Sequence, residues 1–272
     1  MSPSSRNPLR VGLCPDRLIL AGQRRGLRRT TPRKEIVAVE SSRDPTPWQG
    51  AVDALPAALA RSADHKTEVT VILSNHFVRY ALLPWDKTLR SQADWLAFAQ
   101  HRFASVHGSA VDDWELCVAE TAPRGPRIAC AADKALLDAL EARIAASGAT
   151  PGPVQPFLTV AFNQIRRTFG GDSRWLVIHE PGCLVVALVW RGVWHSIRTR
   201  RVDGHWRTAL REVLRRESAV LALEEPCTKI VIQSWRTDDG APGSSSVPPS
   251  ALETDALGGG PLVNDRVPAL AG

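Results

Sequence analysis

One layout of secondary-structure signals occurs twice in this chain, and that duplication limits the fold more than any single motif. In residues 9–74, three short apolar runs (9–13, 17–21 and 35–40) precede an amphipathic stretch at about 48–62 and a fourth apolar run at 68–74. The same order returns later, with runs at 174–178, 183–190 and 193–200, an amphipathic stretch at about 204–223, and a last run at 228–234. Short runs of aliphatic residues bounded by turn formers read as strands, and apolar residues recurring every three to four positions read as helix. Each copy is therefore a βββαβ unit. Two such units predict an α/β protein whose related halves face each other across a cleft.

Between the copies the pattern changes. Residues 77–83 are apolar and follow Asn75-His76, a turn that favours pairing with residues 68–74. Pro84 ends that run. Trp95, Phe98, Arg102 and Phe103 fall at helical spacing within a predicted helix over 89–106, and the aromatic stripe reads as a core-facing surface rather than a cofactor box. Two more strands follow at 114–119 and 127–132. A helix over 134–147 has Asp133 as its cap and Gly148 as its stop. A strand at 152–157 and a helix at 158–169 lead to the Gly170-Gly171 break. The predicted organisation is an unstructured start (1–8), a first half with an inserted segment (9–169), a shorter second half (170–236) and a tail (237–272). The tail is rich in Gly, Pro, Ser and Ala and has no aromatic residue, so it cannot bury enough surface to offset its ordering entropy.

The 272 residues are 44% hydrophobic, enough for a sizeable core. The five cysteines form no CxxC pair and show no histidine at metal-ligand spacing, which points to a reducing compartment rather than a disulfide or zinc framework. The longest uncharged apolar run, 183–190, is far short of the roughly 20 residues of a spanning helix. No apolar signal segment precedes the first strand, so a soluble cytoplasmic chain is expected. The formal charge of +6 is carried mostly by arginine and concentrates in Arg24, Arg25, Arg28, Arg29, Arg33 and Lys34. These residues join the second strand to the third. They read as a solvated loop or as a contact for anionic headgroups or an acidic partner.

Several stretches give this order a family resemblance. Val11-Gly12-Leu13-Cys14 is similar to the Val-Gly-Ile-Asp that opens PilM-like proteins of type IV pilus assembly. The stretch from Asn75 through Tyr80 to Trp85 resembles an early strand of GspL-like cytoplasmic domains of type II secretion. Val154-Gln155-Pro156 looks like the Val-Glu-Pro that closes a first half, and residues 175–204 look like the strand run that opens a second. The resemblance covers residues 9–236 and implies an actin-like (ribonuclease-H-like) ATPase fold. It also implies a cytoplasmic protein peripheral to the inner membrane, linking a motor ATPase to a membrane subunit through that subunit's cytoplasmic peptide.

Proteins of this fold hold nucleotide with backbone amides of two β-turns and a Gly-Gly turn, and use acids at strand ends for Mg²⁺. Here Cys14 stands at the first acidic position, and the turn shrinks to Cys14-Pro15-Asp16-Arg17. Pro15 removes an amide donor and no glycine permits close backbone approach. In the second turn, His179-Glu180-Pro181-Gly182, Pro181 removes another donor, leaving Glu180 and Gly182 as vestiges. At the third, Ser234-Trp235 replaces the Gly-Gly turn, and the indole would fill the adenine position. Together these departures argue against ATP or any other cofactor. Asp16 and Glu180 are expected to be exposed turn residues rather than metal ligands. His179, at a strand end, reads as structural.

The sequence offers little support for other chemistry. The seven histidines are scattered, and no serine or cysteine sits in a nucleophile elbow. A ribonuclease-H-like nuclease needs carboxylates on the first and fourth strands; residues 9–13 have none and residues 68–74 only Glu68. The arginines lack interleaved aromatic platforms, which argues against nucleic acid. The expectation is a non-catalytic actin-like scaffold. The alternative is an active actin-like or sugar-kinase-like ATPase with divergent phosphate loops.

Overall fold

The computed structural model describes residues 7–25, 30–40, 46–63, 67–119, 123–169, 171–222, 227–235 and 242–247. The first copy comprises β1 (Asn7–Leu13), β2 (Arg17–Arg25), β3 (Thr30–Ala38), α1 (Gln49–Ser62) and β4 (Thr67–Leu73). The second comprises β9 (Arg174–Glu180), β10 (Cys183–Trp190), β11 (Val193–Arg201), α5 (Trp206–Leu221) and β12 (Ile230–Trp235). The two copies build the same sheet. The first runs β3-β2-β1-β4 and the second β11-β10-β9-β12. In each, the first three strands are antiparallel neighbours and the fourth returns parallel to the first.

A fifth strand extends each sheet. In the first half it is β8 (Thr150–Pro156), parallel to β4; in the second it is β13 (Pro242–Val247), antiparallel to β12. Strand β8 contains Pro151, Pro153 and Pro156, and prolines are confined to sheet borders because they cannot donate to a ladder. Between the copies lie β5 (Arg79–Leu83), α2 (Gln92–His107), β6 (Trp114–Ala119), β7 (Arg127–Asp133), α3 (Lys134–Ala146) and, after β8, α4 (Phe157–Phe169). Strands β5, β7 and β6 make a separate antiparallel sheet in that order.

Periodicity explains the layering. On β1 and β4, Leu9, Val11 and Leu13 with Val69, Val71 and Leu73 face one way and meet Val52 and Leu55 of α1 and Leu136 and Leu140 of α3. Ile72 points to the opposite face, where Phe157, Leu158, Ala161, Ile165 and Phe169 of α4 lie at helical spacing. The same face of α4 reaches Leu176 and Ile178 of β9 and Val185 and Ala187 of β10, so this helix fills the space between the two large sheets. On the far side of the second sheet, Leu210 and Val213 of α5 cover Val177, Leu184 and Val186. Strand β10 is buried on both faces from Cys183 to Val189, which accounts for its uninterrupted apolar sequence. Each aliphatic side chain buried this way contributes about 1.5–3 kcal/mol. In the small sheet, Trp95, Ala99 and Phe103 of α2 pack on Trp114 and Val118, while Arg102 is exposed.

The structure departs from the sequence expectations in three places. Strand β5 pairs with β7 rather than with β4, because both borders of β4 are already occupied by β1 and β8. The β2–β3 ladder runs out to Arg25↔Thr30, so Arg24, Arg25, Arg33 and Lys34 belong to strands and not to a loop. The ladder is made by backbone groups, so pairing of β2 with β3 continues past the apolar residues. Arg28 and Arg29 lie outside the described residues. The third departure is β13, formed by Pro242–Val247 within the stretch expected to lack structure. The rest of that tail also lies outside the described residues.

Candidate functional site

Strands β1, β4 and β9 direct their carboxyl ends toward one place, the side on which open α/β sheets bind ligands. The turn after β1 is closed by Cys14 N–H donating to the Arg17 carbonyl (3.0 Å) and tied to the end of β4 by Ser74 N–H donating to the Leu13 carbonyl (3.0 Å). Opposite stands the β9–β10 turn, whose Gly182 adopts φ +79°, a left-handed conformation that suits glycine. Cys14, Pro15, Asp16, Arg17, His76, Glu180 and Pro181 line a cleft of about 280 Å³ between these turns.

Glu180 is the centre of the site. It is 2% exposed, and all its donors come from the other half of the molecule. Oε1 accepts from the Asn75 backbone N–H (3.0 Å) and from Asn75 Nδ2 (2.7 Å), and Oε2 accepts from Ser74 Oγ. Beside it, His76 Nε2 donates to the Pro181 carbonyl (2.8 Å). Tyr80 Oη donates to Asn75 Oδ1 (2.6 Å), which fixes the amide that faces Glu180. These bonds form a clasp across the cleft. Burial raises the Glu180 carboxyl to about 6, although the Ser74 and Asn75 hydrogen bonds and the Arg17 charge oppose the rise.

The Cys14, Cys183 and His76 side chains are held in their neutral forms. Burial, and secondarily the Glu180 charge, pushes the Cys183 thiol up to about 12 and Cys14 higher still. Burial lowers His76 despite its bond to Pro181. Arg17 is the cation of the cleft, with a side chain 14% exposed and paired to Asp16 Oδ2 at 3.3 Å. Its buried Nε has no hydrogen-bond partner among the described residues.

The structure thus brings Cys14, Asp16, Glu180 and Gly182 together as the sequence suggested, but with different roles. Glu180, expected to be exposed, is buried because three donors 105 or 106 residues away enclose it. Asp16 is a half-exposed partner of Arg17. His179 stacks on Trp206 (centroids 4.4 Å apart, planes at 24°) and is lowered to about 4 by burial and then by Arg207. Ser234 is the β12 register partner of His179, and Trp235 continues that strand opposite Pro242, so the Gly-Gly turn position is occupied by extended backbone. Sequence reading missed Ser74, Asn75, Tyr80 and Arg17. Ser74 and Arg17 stood out only as polar residues at strand ends, and Asn75 and Tyr80 lay in the stretch of family resemblance with no role assigned to them. No group of three or more His, Cys, Asp or Glu side chains among the described residues is arranged to hold a metal ion.

Duplicated βββαβ halves around a cleft at the strand ends define the actin-like ATPase fold, and this chain has it. A protein of unknown function with that fold from Bacteroides thetaiotaomicron VPI-5482 matches over 86% of this chain and 84% of its own, with a TM-score of 0.57 at 12% identity. A chain of the PilM–PilN type IV pilus biogenesis complex matches over 80% of this chain and 66% of its own, with a TM-score of 0.54 at 11% identity. The cytoplasmic domain of EpsL, an inner-membrane component of the Vibrio cholerae type II secretion system, matches at a TM-score of 0.47 and 13% identity, over 75% of this chain and 74% of its own. No protein-family model and no curated protein sequence matches the chain.

Proposed function

We propose that the chain is a non-catalytic actin-like scaffold of an inner-membrane assembly platform of the type IV pilus or type II secretion kind. On this reading it sits at the cytoplasmic face of the membrane and links a motor ATPase to a membrane subunit's cytoplasmic peptide. The observation that carries the reading is the clasp. In an actin-like ATPase the two turns stand apart to admit phosphates and a metal; here Glu180 of the second turn is fully engaged by Ser74 and Asn75, which follow β4 beside the first turn.

The space left is about 280 Å³, at the low end of the roughly 300–1,000 Å³ of ligand pockets. Two prolines remove amide donors at the turns, and β12 runs straight through the position of the adenosine turn. Support for the machine comes from the PilM–PilN chain, a pilus biogenesis protein that shares this fold over most of its length. No helix among the described residues is long and apolar enough to cross a membrane, which fits peripheral attachment.

The test has two arms. Thermal unfolding with millimolar Mg-ATP should leave the midpoint unchanged, whereas ligand at about 100 times its Kd would add about 2.7 kcal/mol. A synthetic peptide of the cytoplasmic segment of an inner-membrane subunit of such a platform should bind it. A nucleotide-dependent rise in the midpoint would overturn the non-catalytic reading in favour of a divergent ATPase. Failure to bind both that peptide and the motor ATPase would overturn the scaffold reading.

A further inference from the structure

We propose that Cys117 and Cys130 are a redox-modifiable pair, closed to a disulfide by thiol–disulfide exchange with an oxidised small-molecule disulfide of the glutathione type. The two residues are register partners on the antiparallel strands β6 and β7. Directly opposed residues of such a pair have Cα atoms about 4.5–5.5 Å apart, inside the roughly 4.4–6.8 Å a disulfide spans. Both side chains lie on the face of the small sheet that packs against the first core. No other two cysteines among the described residues are register partners. Cys14 and Cys183 are each 3% exposed at the cleft, and Cys227 follows α5.

The environment assigns each thiol a step. Cys117 is half-buried on β6, a border strand of the small sheet, so a small disulfide can reach it. The Cys130 thiol facing it holds the Cys117 thiol below its ordinary range, favouring the thiolate. Cys130 is 8% exposed on the central strand, and the facing Cys117 together with burial raises its thiol. Cys117 thiolate attacks one sulfur of the oxidised disulfide, whose S–S bond breaks. One thiol leaves with a proton and a mixed disulfide remains on Cys117. Cys130, giving up its proton, then attacks the Cys117 sulfur and expels the second thiol. The protein loses two electrons and two hydrogens, and the small disulfide is reduced to two thiols.

Closure also reaches the next residue in the row, because Tyr80 of β5 is the register partner of Cys130 on its other side. Tyr80 carries the hydroxyl that fixes Asn75 in the clasp.

The experiment treats the reduced full chain with oxidised glutathione and follows intact mass, free thiols and a non-reduced peptide map. The expected product has lost two hydrogens, with the link mapped between the peptides of Cys117 and Cys130. Cys130→Ser should stop at a glutathione adduct on Cys117, and Cys117→Ser should give neither product, with far-UV circular dichroism confirming that both variants fold. The proposal is overturned if the wild-type chain keeps five alkylatable thiols, or if the link maps to any other cysteine. An adduct on Cys117 that Cys130 never displaces in the wild-type chain would also overturn it. The wild-type map decides the matter even if a variant does not fold.

Discussion

Replacing Glu180 with glutamine should stabilise the protein at neutral pH, although the residue it removes makes three hydrogen bonds. Burial lifts the folded-state carboxyl from 4.5 to about 6, a difference worth about 2 kcal/mol. A raised carboxyl binds its proton more tightly in the folded state. Its contribution to stability is therefore complete below about pH 4.5 and is lost as pH rises through about 6. Glutamine behaves as the permanently protonated form. Its carbonyl still accepts from both Asn75 donors, and its amide can donate to Ser74 Oγ once that hydroxyl rotates. Relative to wild type, Glu180→Gln should therefore gain about 2 kcal/mol between about pH 4 and pH 7. Urea unfolding followed by tryptophan fluorescence at both pH values measures the difference, and other titrating groups cancel between the two proteins. A flat difference, or a loss as pH rises, would refute the argument that desolvation outweighs the clasp's hydrogen bonds. Glu180→Ala strands all three donors and should cost on the order of 3–5 kcal/mol at pH 4 and about 2 kcal/mol less at pH 7, where the wild-type carboxylate is itself charged.

Three further outcomes follow from buried or capping groups. Gln233 is 0% exposed and neither amide atom has a partner among the described residues, so Gln233→Leu should raise stability by about 1 kcal/mol, read by calorimetry. Glu217, 6% exposed, accepts from Ser196 Oγ and Arg198 Nε, both at 2.9 Å, and so anchors α5 to β11. Glu217→Ala should cost about 1–3 kcal/mol in denaturant unfolding, since it leaves the Ser196 hydroxyl buried and unpaired. Ser91 and Asp94 form a reciprocal capping box at the start of α2, and Ser91→Ala should cost about 1 kcal/mol, with faster amide exchange in that helix's first turn.

The repeated βββαβ order was legible because each element carries its own local signal. Strand β10 is unbroken aliphatic sequence, and α5 shows apolar spacing at Leu210 and Val213. Residues following β12 gave no comparable signal: Pro-Gly-Ser-Ser-Ser-Val has no alternation, and only backbone pairing with an existing border makes it a strand. The prolines of the two turns were also readable, because the loss of an amide donor is local to the residue. The fate of Glu180 was not. A turn carboxylate is buried or exposed according to what faces it, and Ser74 and Asn75 come to face it only after both halves have folded. The cysteine pair was hidden for a similar reason. Cys117 and Cys130 are unremarkable thirteen positions apart, and only the β6–β7 register sets them opposite each other.

The prolines of β8 bear on how this molecule can meet copies of itself. Three of the seven residues in that border strand have no amide hydrogen, so a strand arriving from a neighbour would find too few donors to start a continuous ladder. The first sheet is thereby capped on that side. Filament growth by strand addition, the hazard of any sheet with an open border, has no starting point there.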